Sequence, residues 1–275
     1  MTTSYRGWTR AGPMPPGGVE VEDGETLDYF AGNFRIFQYA KGHRYSTDDV
    51  VTAWYGTMCA PRVERAADLG SGIGSVAMIA AWRLPGARFW TVEAQEASIR
   101  MARKSVRYNG LEERFTLLHG DLRDPGLFAS LPPFDLVLGS PPYFPPGSAT
   151  EAEHPQAVPA RIEVRGTVAD YARTAARILA PGGVFAFVFS DRGRAARAVE
   201  LAGLTLVRSR DVVFKEGEPP VIALFAAMRR EDLPSTYATY VEPPLTIRGA
   251  DGSTPPEYSA IRLSFGFPPG NTPRG

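Results

Sequence analysis

Asp68-Leu69-Gly70-Ser71-Gly72-Ile73-Gly74 is the stretch that decides how this chain folds. Arg65 to Leu69, around its start, reads as a short strand, and Ser75 to Arg83, just after it, reads as a helix. Strand, glycine turn and helix make a corner where the backbone approaches a ligand closely, because glycine has no side chain to hold it off. The acid at the corner selects the ligand. A dinucleotide pyrophosphate is repelled by Asp68, whereas a cationic amine or sulfonium is attracted. The dinucleotide fingerprint would also place its third glycine at position 75, where this chain has Ser75. The corner is therefore read as a site for S-adenosylmethionine, with Gly70, Ser71, Gly72 and Gly74 as its cradle.

Outward from the corner the pattern alternates. Arg88 to Glu93 reads as a strand, and Gln95 to Tyr108 as a helix stopped by Asn109-Gly110. Phe115 to Leu118 and Phe134 to Leu138 are further strands. Val168 to Leu179 reads as a helix, Val184 to Ser190 as a continuous apolar strand, and Arg192 to Leu201 as another helix. Leu204 to Phe214 and Val221 to Met228, joined by the short loop Lys215 to Pro220, read as an antiparallel hairpin. Near-continuous apolar strands between helices imply an α/β sheet covered on both faces. A single domain is expected over 25–265, with flexible ends at 1–24 and 266–275. Within it, 25–60 is expected to cover the cofactor, and the proline-rich stretch 144–167 to serve as a substrate loop.

Candidate site residues fall at strand ends. Glu93 closes the second strand about 20 residues beyond the glycine turn, where an acid accepts bonds from both ribose hydroxyls of a nucleoside; Ala94 follows it. The alternative is an ordinary solvated glutamate. Asp121, with Leu122 beside it, follows the third strand, where its carboxylate is expected to accept from an adenine amine; the alternative is a turn aspartate. Ser140-Pro141-Pro142-Tyr143 follows the fourth strand. The chain holds eight Pro-Pro pairs, so the pair itself says little and its place decides. A fourth-strand carboxyl end borders the central crevice of an open α/β sheet. Two prolines stiffen the backbone and leave the Pro141 carbonyl free of local partners. That carbonyl and the Ser140 hydroxyl then accept both hydrogens of a planar amine, while Tyr143 stacks on the ring that carries it. Lys41, His43 and Arg44, followed by Thr47-Asp48, read as a loop folding over the cofactor mouth, with Thr47 or Asp48 capping a helix. Arg100, Arg103, Lys104 and Arg107 share one helix and read as a solvated outer face.

Composition narrows the function classes. The 30 basic and 30 acidic side chains cancel, which argues against a strongly electrostatic nucleic-acid binder. The single cysteine, Cys59, excludes an intrachain disulfide and a cysteine-built zinc site. His43, His119 and His154 share no metal-ligand spacing, so no metal is expected. No Gly-x-Ser-x-Gly elbow and no P-loop lysine occur. No apolar run has signal-peptide or membrane-spanning character, so a cytoplasmic location, no membrane partner and a state compatible with a monomer are expected.

Taken together, the motif Asp68 to Gly74, the acids Glu93 and Asp121, and Ser140-Pro-Pro-Tyr143 resemble Rossmann-like class I S-adenosylmethionine methyltransferases that modify amines on planar groups. Ser46-Thr47-Asp48 before a helix, Pro-Pro-Tyr-Phe before a loop with Ala160-Arg161-Ile162-Glu163, and Leu245-Thr246-Ile247-Arg248 with Tyr258 are similar to the bacterial adenine-N6 methyltransferases of valine tRNA. That resemblance, from about Phe34 to Tyr258, implies a seven-stranded, mostly parallel sheet with an antiparallel last strand. It implies Asp68, Gly70 and Gly72 around the methionine moiety, Glu93 on the ribose, Asp121 near the adenine, Thr47 and Asp48 near the cofactor, and Ser140 to Tyr143 gripping the target amine. The partner it implies is tRNA or another structured RNA. That family usually carries asparagine at the position of Ser140, and serine stands there in some DNA amino-methyltransferases. A glutamine amide in a protein or a small-molecule amine presents the same planar nitrogen and is the second reading. A non-catalytic scaffold that has kept the fold is the third.

Overall fold

The computed structural model describes residues 4–5, 8–9, 17–60, 62–144, 163 and 166–272. Two short antiparallel pairs come first: β1 (Ser4–Tyr5) with β2 (Trp8–Thr9), and β3 (Glu25–Tyr29) with β4 (Arg35–Tyr39). Helix α1 (Thr47–Cys59) leads into β5 (Arg65–Leu69), α2 (Ser75–Arg83), β6 (Arg88–Glu93), α3 (Glu96–Tyr108), β7 (Phe115–His119) and β8 (Phe134–Gly139). Then follow α4 (Val168–Ile178), β9 (Leu179–Phe189), α5 (Arg192–Leu201), β10 (Leu204–Val213), β11 (Ile222–Arg229), β12 (Tyr240–Thr246) and α6 (Pro256–Ser264).

One sheet runs β12-β10-β11-β9-β8-β5-β6-β7. The five strands from β5 to β9 are parallel, and β11 runs against both β9 and β10. The chain leaves β5 through β6 to β7, then returns to β8 on the other flank of β5. The crevice between the carboxyl ends of β5 and β8 is therefore the switch point of the sheet, the place where ligands bind in such folds. Register makes this concrete: Asp68 lies opposite Leu138, and Leu69 opposite Gly139. The glycine corner thus leaves the sheet beside the segment that begins at Ser140.

Alternation along β8 divides the core. Leu136 and Leu138 pack on the α1, α2 and α6 side, while Val137 packs toward α4 and α5. Both faces of the sheet are covered, as the apolar runs predict. Among the described residues no helix is long and apolar enough to cross a membrane, and no group of three metal-ligating side chains occurs.

The structure differs from the sequence reading in several places. All seven expected strands are present, and β12 adds an eighth, parallel to β10 at the sheet edge. Pro243 and Pro244 argue against a strand, but an edge strand tolerates a residue without an N–H, and the pairing shifts register there. The segment expected to be irregular at 1–24 contains the β1–β2 pair. The tail expected to be loose from 266 is pinned as far as Asn271. Phe267 is buried, Ser259 Oγ donates to the Pro269 carbonyl at 2.7 Å, and the Thr254 N–H donates to Asn271 at 2.9 Å. Finally, of the four basic residues of α3, Arg103 and Arg107 are exposed as expected, while Arg100 and Lys104 form an attachment face. Lys104 and Arg100 each pair with Glu22 and with the buried Glu25, tying the β3–β4 hairpin to the helix. Most of the expected substrate loop, 145–162, with His154 and Arg161, lies outside the described residues.

Candidate active site

A cavity of about 500 Å³ opens at the switch point. Its walls are the loop before α1, the glycine corner, the end of β6, the turn after β7, and the segment Ser140 to Phe144. It brings together Asp48, Asp68, Gly70, Ser71, Gly72, Glu93, Ala94, Leu122, Ser140, Pro141, Pro142 and Tyr143, all anticipated from the sequence.

The corner is built by main-chain chemistry. Gly70 and Gly72 have φ of +60° and +56°, a region that side chains disfavour. At Gly70 there is also no room, since a Cβ would lie 1.9 Å from the Tyr171 hydroxyl. Asp68 is buried, and its Oδ2 accepts from the Ala77 N–H at 3.2 Å, in the first turn of α2. Glu93 bridges the turn: Oε2 accepts from the Gly72 N–H at 2.8 Å and Oε1 from the Gln95 N–H at 2.7 Å. Burial pushes the Asp68 carboxyl up to about 8; Asp49 and Glu93 push the same way, against the Ala77 N–H.

The facing wall is built by side chains. Tyr143 donates its hydroxyl to Asp48 Oδ2 at 2.8 Å, and the Ser140 hydroxyl is in hydrogen-bond contact with the same phenol. Burial raises the Tyr143 pKa well above the ordinary phenol value, with Asp48 adding to it, so the phenol stays a neutral donor. Burial likewise raises the Asp48 carboxyl, while the Tyr143 hydrogen bond works against that rise. Tyr143 meets Phe189 edge to face at 6.0 Å.

Three anticipated residues do not line the cavity. Thr47 opens α1, but the cap is Ser46, which forms a capping box with Asp49. Gly74 caps α2 with φ +81°, and its role is the geometry of the turn. Asp121 binds the Arg123 N–H at 2.8 Å and the Arg123 guanidinium at 2.9 Å, while its neighbours Gly120 and Leu122 face the cavity instead. The Asp121 carboxylate, expected near an adenine, is thus paired with a cation two residues away and lies off the cavity wall.

The cavity also contains residues that the sequence reading passed over. Asp49 joins two helix starts, accepting from Ser46 N–H at 2.7 Å and from Ser75 Oγ at 2.6 Å. The Ser46-x-x-Asp49 spacing carried that signal. Tyr171, from α4, carried none, because its place under Gly70 and Gly139 depends on a contact across the sheet.

This donor set fits a cationic nucleoside ligand. Four carboxylates line the cavity, and Arg44, which also lines it, is already bound to Asp28 at 2.8 Å. Ser71 Oγ is buried with no hydrogen-bond partner among the described residues, which costs about 1–3 kcal/mol until a ligand supplies one.

Comparisons with known proteins identify the family and the fold. The family model described as a methyltransferase small domain matches residues 48–205. The tRNA1(Val) (adenine(37)-N6)-methyltransferase of Porphyromonas gingivalis is 27% identical over 243 residues, 85% of this chain and 92% of that protein. The release factor glutamine methyltransferase of Gloeobacter violaceus is 36% identical over 131 residues, 44% of each chain. The 4-amino-L-phenylalanine/4-methylamino-L-phenylalanine methyltransferase of Streptomyces pristinaespiralis is 40% identical over 125 residues, 42% of this chain and 40% of that one. The chain thus spans less than half the length of these last two relatives. A predicted O-methyltransferase from Agrobacterium tumefaciens shares the fold, with a TM-score of 0.58 at 21% identity over 79% of this chain and 96% of that one. The chain therefore belongs to the methyltransferase small domain family, enzymes that use S-adenosylmethionine.

Proposed function

We propose that this protein transfers a methyl group to the exocyclic amine of an adenine in RNA, with tRNA the first candidate and the cytoplasm the place of reaction. One observation carries the reading: the register of β5 with β8 sets the glycine corner directly beside Ser140-Pro141-Pro142-Tyr143. A donor site and a clamp for a flat amine then share one cavity. Likeness to a tRNA enzyme over 85% of the chain supports RNA as the acceptor.

When bound, S-adenosylmethionine supplies an electrophilic methyl on a sulfonium. Asp68, Gly70, Ser71 and Gly72 would hold its methionine part. Glu93 would accept its ribose hydroxyls, since each carboxylate oxygen has lone pairs left after its main-chain bond. Gly120 and Leu122 would border its base. The Pro141 carbonyl and the Ser140 hydroxyl accept the two hydrogens of the acceptor amine and aim its lone pair. They also favour the positive charge that grows on that nitrogen, so they bind the transition state better than the ground state. No side chain with a strongly shifted pKa is needed, because the amine proton leaves afterwards. The acceptor base has to leave its stack to enter the cavity, which favours a loop nucleotide.

A second reading rests on the higher identity, 36% and 40%, to enzymes named for a glutamine and an aromatic amine. Labelled S-adenosylmethionine, offered with tRNA, a glutamine peptide and 4-aminophenylalanine, separates the two. N6-methyladenosine in the digested RNA is expected. Label in the peptide or the amino acid alone would replace this reading with the second one.

A further inference from the structure

We propose that Phe144 is the outer face on which the acceptor adenine stacks; this rests on the RNA reading above and gives that site a specificity residue. Tyr143 was expected to take the base, but its ring is engaged inward. It packs against both apolar cores, meets Phe189 edge to face, and ties its hydroxyl to Asp48. Phe144 is the next residue and behaves differently. It is 44% exposed, and of the exposed large apolar side chains among the described residues it alone lines the cavity. Its ring stands 6.5 Å from the Tyr143 ring at 73°, so the two aromatic planes form an inner and an outer wall. An apolar ring left in water at the mouth of a cavity is what a stacked base would cover.

The backbone that carries the ring is also held in place. The Phe144 carbonyl accepts from the Glu163 N–H at 2.9 Å. The Glu163 carboxylate is nearly buried and pairs with Arg194 of α5. The Arg194 guanidinium lies over the Phe189 ring at 5.2 Å, and Phe189 meets Tyr143. These contacts close a circuit back to Phe144. With its backbone fixed in this way, only the rotation of the ring is left to be ordered when a base arrives, which favours a contribution of stacking to affinity.

The test is methyl transfer to tRNA by the full chain, with cofactor affinity measured in parallel. Phe144→Ala is expected to raise the KM for RNA roughly tenfold or more, with kcat and cofactor affinity nearly unchanged. Phe144→Leu, which keeps apolar bulk without a π face, is expected to lose nearly as much, and Phe144→Trp to recover most of it. A Leu variant that matches wild type would overturn stacking, and so would an Ala variant with an unchanged KM. If Phe144→Ala does not fold, the Leu against Trp contrast decides alone. Wild-type protein that methylates no RNA overturns the substrate reading and this inference together, and the wild-type lane tells that failure from the others.

Discussion

Around the glycine corner, polar side chains are met by the main chain: Asp68 by the Ala77 N–H, Glu93 by the Gly72 and Gln95 N–H groups. Across the cavity they are met by other side chains: Tyr143 by Asp48, and Glu163, which holds the Phe144 carbonyl, by Arg194. The difference has consequences for each wall. Main-chain donors come with the fold and survive substitution, but they demand that the backbone keep its path. Side-chain partners can be exchanged singly, so the facing wall can be retuned for a new acceptor while the corner stays as it is.

The contrast breaks hardest at Gly70. Gly70→Ala puts a Cβ 1.9 Å from the Tyr171 hydroxyl on a backbone with φ +60°. Left-handed strain and overpacking together are expected to cost about 2–5 kcal/mol, seen as a lower melting temperature and lost cofactor binding. Gly72→Ala has nearly the same φ but open space around its Cβ, so only the strain of about 1–2 kcal/mol is expected. Equal losses at the two positions would show that the Tyr171 contact is unimportant.

Asp68 sharpens the comparison through pH. Its carboxyl is pushed up to about 8 by burial, against about 4 in an unfolded chain. The ligand-free folded protein therefore holds that proton more tightly than the unfolded chain does. Asp68 takes stability away as pH rises from about 4 to about 8, and a cationic ligand, which favours the ionised form, returns it. Titration calorimetry is expected to show S-adenosylmethionine affinity rising with pH, by at most about tenfold per unit, and levelling near pH 8. Asp68→Asn is expected to bind weakly with a flat profile; a wild-type profile that is equally flat would count against the ionised carboxylate.

On the facing wall, Tyr143→Phe removes the hydroxyl donor to Asp48 and leaves a half-buried carboxylate short of a partner, a loss of about 1 kcal/mol. The expected readout is a lower melting temperature and poorer turnover, with cofactor affinity little changed. The smallest effect is expected at Glu22→Gln, whose own carboxylate is largely exposed. Its melting temperature and cofactor affinity are expected to match wild type, because exposed pairs contribute little.

Local pattern was enough for the corner, for the seven strands around it, and for most cavity residues. Asp68, the glycines, Glu93 and Ser140 to Tyr143 each sit within a few residues of a strand end, and strand ends follow from apolar runs and turn residues. Residues whose place depends on a distant partner were less legible. Asp121 was expected to face the ligand, but an arginine two positions later holds it. Arg100 and Lys104 of α3 were expected to face water with Arg103 and Arg107, but Glu22 and Glu25 meet them from about 80 positions away. Strand β12 was hidden by its prolines, and α6 was not anticipated either. Arg210 secures both, through the Pro243 carbonyl at 2.8 Å and the two Glu257 oxygens at 2.7 and 2.8 Å.

The amino-acid order alone therefore determined the class of ligand, because charge and backbone freedom are properties of the corner residues themselves. Only the tertiary structure decided which aromatic ring stays exposed at the cavity mouth and which is used to hold the wall together. That choice is made by Phe189, Asp48 and Glu163, whose approach to one another depends on sheet register and helix packing rather than on spacing along the chain.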